Sequence, residues 1–213
     1  MTKSDELYQV GKKVDDLQQL NYQHVELNTI LTVITELEQW FGENNNLSIE
    51  DDNRIIFNYT KSNYMTVLIE IAQQYGKEVH DTQPYLHYKT GNDFLYDYGV
   101  KRLSLLREAL ALYQKRPLSK ISSTWMNQVR VNLANMYMET GRIIESLDML
   151  ESCKDSFGMA RINYAAKLYQ LSFYTLDKEI QKEFLLAASN YYETVISQYS
   201  ERQAYDPIPE DIF

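Results

Sequence analysis

The stretch from Trp125 to Ala160 constrains what this chain can fold into more than any other. It reads as two helices around a glycine turn, with Asn132-Leu133-Ala134-Asn135-Met136-Tyr137 before Gly141 and Ile143-Ile144-Glu145-Ser146-Leu147 after it. Leu133, Ala134, Tyr137, Gly141, Ser146, Leu150 and Cys153 run large, small, aromatic, turn, small, large and small. Antiparallel helices approach closely only where small side chains sit at the crossing, with larger ones filling the flanks. Glycine ends the first helix because it enters left-handed backbone without steric cost. The spacing predicts a tight helical hairpin.

The rest of the chain agrees with an all-α fold. Its 213 residues leave room for a run of about seven to nine helices. Seven glycines and four prolines are few for a chain of many tight turns, which disfavours a β-sandwich or a doubly wound sheet. Eighteen tyrosines against seven phenylalanines suit thin helical layers, since a tyrosine buries its ring and keeps its hydroxyl wet. The net charge of −9 opposes long-range attraction to a phosphate backbone. The single cysteine, Cys153, leaves no internal disulfide. Met1-Thr2-Lys3-Ser4-Asp5-Glu6 lacks the apolar core of a signal peptide, and no run approaches the ~20 apolar residues of a membrane span. A soluble, cytoplasmic protein with no membrane partner is expected.

Residues 5–40 carry helical periodicity through Leu7, Val10, Val14 and Leu17, then Val25, Ile30, Leu31, Ile34 and Leu37, with a break near Asn21. Two core helices and a coiled-coil pairing arm both fit that pattern. Gly42 and Asn44 to Asn46 mark a loop, and Ser48 with Glu50, Asp51 and Asp52 marks a helix start. The next helix is expected from Ile49 to Tyr75, ended by Gly76. Periodicity then fails from Lys77 to Gly99, among Tyr85, His87, Tyr88, Phe94, Tyr96 and Tyr98. So apolar an excursion either packs on the helices or covers a partner site. Periodicity resumes from Val100 to Gln114, and Ser122, Ser123 and Thr124 are candidate caps for the helix that follows. After the hairpin, helices are expected at 158–176 and 178–199. There Phe184 and Ala187 echo Leu150 and Cys153, and Tyr164 echoes Arg130, while Leu133 maps to Lys167 and Ser146 to Ile180. The final residues, from Asp206 to Phe213, cannot continue a helix through Pro207 and Pro209, and suit a docking tail or a chain cut short. These features divide the chain into N-terminal helices (1–48), a helical repeat region (49–200) and a C-terminal tail (201–213).

No chemistry is spelled out. His80, Asp81 and His87 are the clustered metal-ligand types, and their spacing matches no zinc or di-iron pattern. A glycine-rich phosphate loop, a nucleophile elbow and an H-E-x-x-H pair are all missing. No catalytic residue, cofactor or metal is expected, and the chain reads as a non-enzyme. Charge is more informative. Lys101, Arg102, Arg107, Lys115, Arg116, Lys120 and Arg130 stand with Glu108 as the one acid, so the window from Lys101 to Arg130 carries +6 and the remainder −15. Lys101, Arg102 and Arg107 could form a basic face for an acidic partner or nucleic acid, or pair with acids elsewhere in the fold.

The hairpin spacing resembles a tetratricopeptide repeat, which implies stacked helical hairpins in an α-solenoid. A more specific likeness runs through Asn132-Leu133-Ala134-Asn135, Gly141-Arg142 and Phe157-Gly158-Met159-Ala160, with Leu106-Arg107-Glu108-Ala109 upstream. Over roughly 55–190 the chain is similar to the helical-repeat region of bacterial proteins that carry a HEPN-type nuclease domain downstream. HEPN nucleases use an arginine followed closely by a histidine, and His24, His80 and His87 each lack such an arginine. The resemblance therefore carries over the scaffold and a setting in bacterial defence or toxin regulation, and no catalytic residue.

The expected function is a non-catalytic scaffold that binds a protein or peptide partner. Arg130, Asn132 and Asn135 on one helix and Asn163 on the next are the candidate partner-binding residues, through contacts to peptide backbone; capping or bonding within the scaffold is their plainer role. The alternatives are the N-terminal repeat region of a HEPN-type RNA-cutting protein and a peptide-sensing regulator. Replacing Gly141 by tryptophan is expected to unfold the hairpin under every one of these readings.

Overall fold

The computed structural model describes residues 2–20, 25–48, 52–88, 91–116, 121 and 123–203. Among the described residues there are eight α-helices and no strand: the fold is all-α. The chain divides into two compact units, Met1–Lys120 and Ile121–Phe213.

The first unit contains α1 (Lys3–Gln18), α2 (Leu27–Glu43), α3 (Asp52–Tyr75) and α4 (Gly91–Gln114). Thr2 starts α1 with a capping box: its hydroxyl accepts the Asp5 amide at 3.2 Å, and the Asp5 carboxylate accepts the Thr2 amide at 2.8 Å. Leu7, Val10, Val14 and Leu17 on α1 and Ile30, Ile34, Leu37 and Phe41 on α2 are buried in one cluster. The stretch thus forms two core helices and not a pairing arm; Asn21 lies outside the described residues. Phe41 stacks on Tyr64 of α3 at 5.1 Å and meets Phe57 edge-on at 5.6 Å, which locks α2 onto α3.

The aromatic excursion packs. Tyr85 is buried and donates its hydroxyl to the Leu68 carbonyl oxygen at 3.0 Å. Two 3-10 turns, Gly76–Val79 and Tyr85–His87, carry the chain back along α3. Helix α4 begins at Gly91, well before the expected Val100. Phe94 and Tyr98, one turn apart, are both buried with ring centroids 4.3 Å apart, and Asp97 pairs with Lys101 at 2.6 Å in the same i,i+4 register. At the far end Arg116 reaches Asp52 at 3.0 Å, and Arg54 reaches Glu108 at 3.0 Å, clasping α4 to α3.

The second unit contains α5 (Ser123–Glu139), α6 (Ile143–Glu151), α7 (Gly158–Tyr174) and α8 (Lys178–Gln203). Helices α5 and α6 form one hairpin and α7 and α8 another, with α7 also beside α5 and α6. This is the neighbour-on-neighbour packing of stacked hairpins. The last two helices begin where the sequence placed them. Asp177 caps α8, its carboxylate accepting the amides of Glu179 at 2.9 Å and Ile180 at 3.2 Å.

Candidate partner-binding face

The turn that organises the second unit is a Schellman motif. The Arg142 amide donates to the Tyr137 carbonyl oxygen at 2.8 Å and the Gly141 amide to that of Met138 at 3.1 Å, with Gly141 at φ +76°. Arg142 then lies 4.5 Å over the Tyr137 ring and pairs with Glu145. Beyond the turn, Ala134, Leu150, Cys153 and Ala160 form a buried cluster with Val131, flanked by Met149, Phe157 and Tyr164. Each small or large residue of the spacing thus has its role, and Ala160 of the Phe157–Ala160 box seals α7 onto the hairpin. Cys153 is buried, which pushes its thiol up, and Sγ contacts the Met149 carbonyl oxygen at 3.5 Å.

Helix α5 aims its candidate residues outward from this core. Gln128, Asn132, Asn135 and Glu139 fall on one stripe at helical spacing, and all but the exposed Glu139 are half-buried. The Gln128 amide donates to Asn132 Oδ1 at 3.2 Å. Arg130 points elsewhere: its Nη1 donates to Asn127 Oδ1 at 2.6 Å, and Asn127 in turn donates to the Ser156 hydroxyl at 3.3 Å, which ties α5 to the loop before α7. Asn163 on α7 donates to the Met159 carbonyl oxygen one turn back at 2.9 Å. Asn135 makes no side-chain hydrogen bond among the described residues. On α7, Met159, Asn163, Gln170 and Tyr174 follow one stripe, and its neighbour Lys167 lies in the field of Glu139 on α5, although burial pulls the Lys167 ammonium down. Amide side chains of two adjacent helices therefore stand on neighbouring stripes, while Arg130 belongs to the scaffold beneath them.

The basic residues lie in the first unit. Lys101 is held by Asp97 and the Tyr88 hydroxyl, Arg102 is half-buried in the field of Glu70, and Arg107 is exposed. Lys101 and Arg102 project about 100° apart around α4 and Arg107 on a third side, so the three do not gather on one face. His80 Nδ1 lies 3.1 Å from the Asp81 carboxylate, and no group of three metal-ligating side chains occurs among the described residues. No helix is long and apolar enough to cross a membrane among the described residues.

Two features of the second unit carry no signal in the sequence. Lys154 is nearly buried between the rings of Tyr164 and Tyr191, 5.7 Å from each centroid, and pairs with Glu151 at 2.9 Å. The hydrogen bond that Lys154 donates to Glu151 raises the Lys154 ammonium and lowers the Glu151 carboxyl, while burial and the Glu151 carboxylate push the Tyr164 phenol up to about 12. Arg161 is buried and donates to the carbonyl oxygens of Lys154 at 3.1 Å and Asp155 at 3.0 Å, and to Gln198 at 2.8 Å. These contacts fix α7 and α8 against the loop before α7. Comparison with protein-family models, with curated proteins and with solved structures gave no match for this chain.

Proposed function

We propose that this chain is a non-catalytic helical-repeat scaffold that holds a protein or peptide partner against the face formed by the neighbouring stripes of α5 and α7. The supporting observation is the pair of amide-bearing stripes, Gln128, Asn132 and Asn135 on α5 beside Asn163 and Gln170 on α7, with Tyr174 exposed at the end of the second. Asparagine and glutamine side chains both donate and accept, so a row of them matches the backbone of an extended segment whatever its side chains. Each such bond is worth about 1 kcal/mol net, and an exposed tyrosine adds flat apolar area at little entropic cost. The resemblance to HEPN-associated helical-repeat regions supports a setting in bacterial defence or toxin regulation.

The test is affinity purification from the native host, with bound protein identified by mass spectrometry and bound nucleic acid by the ratio of absorbance at 260 and 280 nm. A stoichiometric protein partner, lost on the double substitution Asn135→Ala with Asn163→Ala while the melting temperature holds, is the expected result. Co-purifying RNA, abolished by charge reversal at Lys101, Arg102 and Arg107, would overturn it in favour of the nuclease-associated reading.

A further inference from the structure

The α7–α8 hairpin has an apolar edge that nothing in the described structure covers. On α7 the buried stripe is Arg161, Ala165, Leu168 and Ser172. One residue back, Ala160 and Tyr164 pack on the α5–α6 hairpin. One residue forward, and so rotated about 100° to the opposite side, run Ile162, Ala166, Tyr169 and Phe173, with Tyr169 47% and Phe173 65% exposed and their rings 4.9 Å apart. Helix α8 repeats the pattern. Tyr191 turns toward Tyr164 and Lys154, while Leu185, Ser189, Tyr192 and Ile196 lie on the other shoulder, with Leu185 41% and Ile196 64% exposed. Both helices therefore aim an apolar stripe off the same edge, the one turned away from the first hairpin.

We propose that a second copy of this chain docks on that edge across a two-fold axis. Charge pattern selects this occupant. Lys182, Leu186, Ser189 and Glu193 form the stripe that borders the apolar face on α8, so the base and the acid stand eleven residues apart with a leucine and a serine between them. An antiparallel two-fold centred between Leu186 and Ser189 brings Lys182 of each copy opposite Glu193 of the other, and each Leu186 opposite the other Ser189. The match holds although each chain carries −9, because the edge itself balances its charges. The size also fits. From Ile162 to Phe173 the face is about 16 Å long and, two helices wide, about 20 Å across, a flat footprint on the order of 300 Å². That is an apolar core, to which Leu186 and the charged rim add toward the ~800 Å² per partner of a stable interface. This edge uses none of the residues proposed to hold the partner, so the two proposals fail separately.

The test is light scattering after gel filtration of the full chain at loading concentrations from 0.5 to 50 µM. A species of twice 25.1 kDa is expected. Phe173→Asp and Ile196→Asp should each weaken it at least tenfold, and Ile144→Asp, an exposed position on α6, should leave it unchanged. Lys182→Glu and Glu193→Lys should each weaken it about tenfold, and the two together should restore it. Far-UV circular dichroism of every variant checks folding, and the charge pair gives its answer even if an apolar variant misfolds. A monomer throughout overturns the proposal and leaves the edge to another protein or to residues 204–213. Assembly beyond a dimer overturns it, as does a dimer that Ile144→Asp weakens and Phe173→Asp does not. A double charge reversal no better than either single one overturns the two-fold register.

Discussion

Ser146 on α6 donates a 2.7 Å hydrogen bond from its hydroxyl to the carbonyl oxygen of Ala134 on α5, and both residues are fully buried. A side chain as short as serine reaches the backbone of a neighbouring helix only where the two axes are close, so this bond records the closeness that the small residues permit. Ser146→Ala removes one net hydrogen bond and should cost about 1 kcal/mol. Ser146→Leu must push the helices apart and should cost about 3 kcal/mol. Urea unfolding followed by circular dichroism measures both; a leucine variant as stable as the alanine one would mean the crossing has slack.

Gly141 acts through its backbone alone. Its φ is +76°, it is exposed, and a Cβ built there meets no atom within 4 Å. The cost of any other L-residue is then the left-handed strain, about 1–2 kcal/mol, and not a clash. Strain without a Cβ clash predicts less than the unfolding expected for a tryptophan: Gly141→Trp and Gly141→Ala should lose similar stability, and Gly141→Asn less, since asparagine tolerates this conformation. Thermal melts of the three variants decide it, and a tryptophan variant far below the alanine one would reveal a contact at the turn.

What the sequence disclosed tracks how local the cause is. The α5–α6 hairpin was legible because its small and large positions lie within one helix-turn-helix stretch, and each contributes through its size. The start of α4 was hidden because Phe94, Tyr96 and Tyr98 recur at every second residue, a spacing that does not read as a helix, and only the first and last are buried. Asn132 and Asn163 were legible as candidates, but their bonds to Gln128 and Met159 depend on rotamers that spacing does not encode. Lys154 and Arg161 were missed because one partner of each, Tyr191 and Gln198, comes from a helix more than thirty residues on, and most of the others lie in or beyond a loop whose path spacing does not encode.

The Lys154 pair should give the second unit a stability plateau with two edges. Glu151, its carboxyl lowered by Lys154, contributes stability that is present above its ordinary value of 4.5 and lost as pH falls through the lower folded value. Lys154, raised by Glu151, contributes stability present below its ordinary 10.5 and lost as pH rises through the higher folded value. Lys154→Met keeps an apolar stem between the two rings and removes the charge. Between pH 5 and pH 3 its melting temperature should fall less than that of the unsubstituted chain. An equal fall in both would show that the pair is too well solvated to matter.

Arg161 should be the least replaceable charged residue of the second unit. It is buried, and its three donors go to two backbone carbonyl oxygens and one amide, so dipoles compensate its charge without a carboxylate. Arg161→Met strands the Lys154 and Asp155 carbonyl oxygens and should cost about 3 kcal/mol or more, since a hydrogen bond to a charged group is worth about 1.5–3 kcal/mol net. Arg161→Lys keeps the charge and loses the planar fork, and one ammonium cannot span Lys154, Asp155 and Gln198 together, so it should recover little. Gln198→Ala removes a single arm and should cost about 1 kcal/mol. Chemical denaturation of the three variants orders them; full recovery by lysine would mean that charge, and not the fork, holds α7 and α8 to the loop.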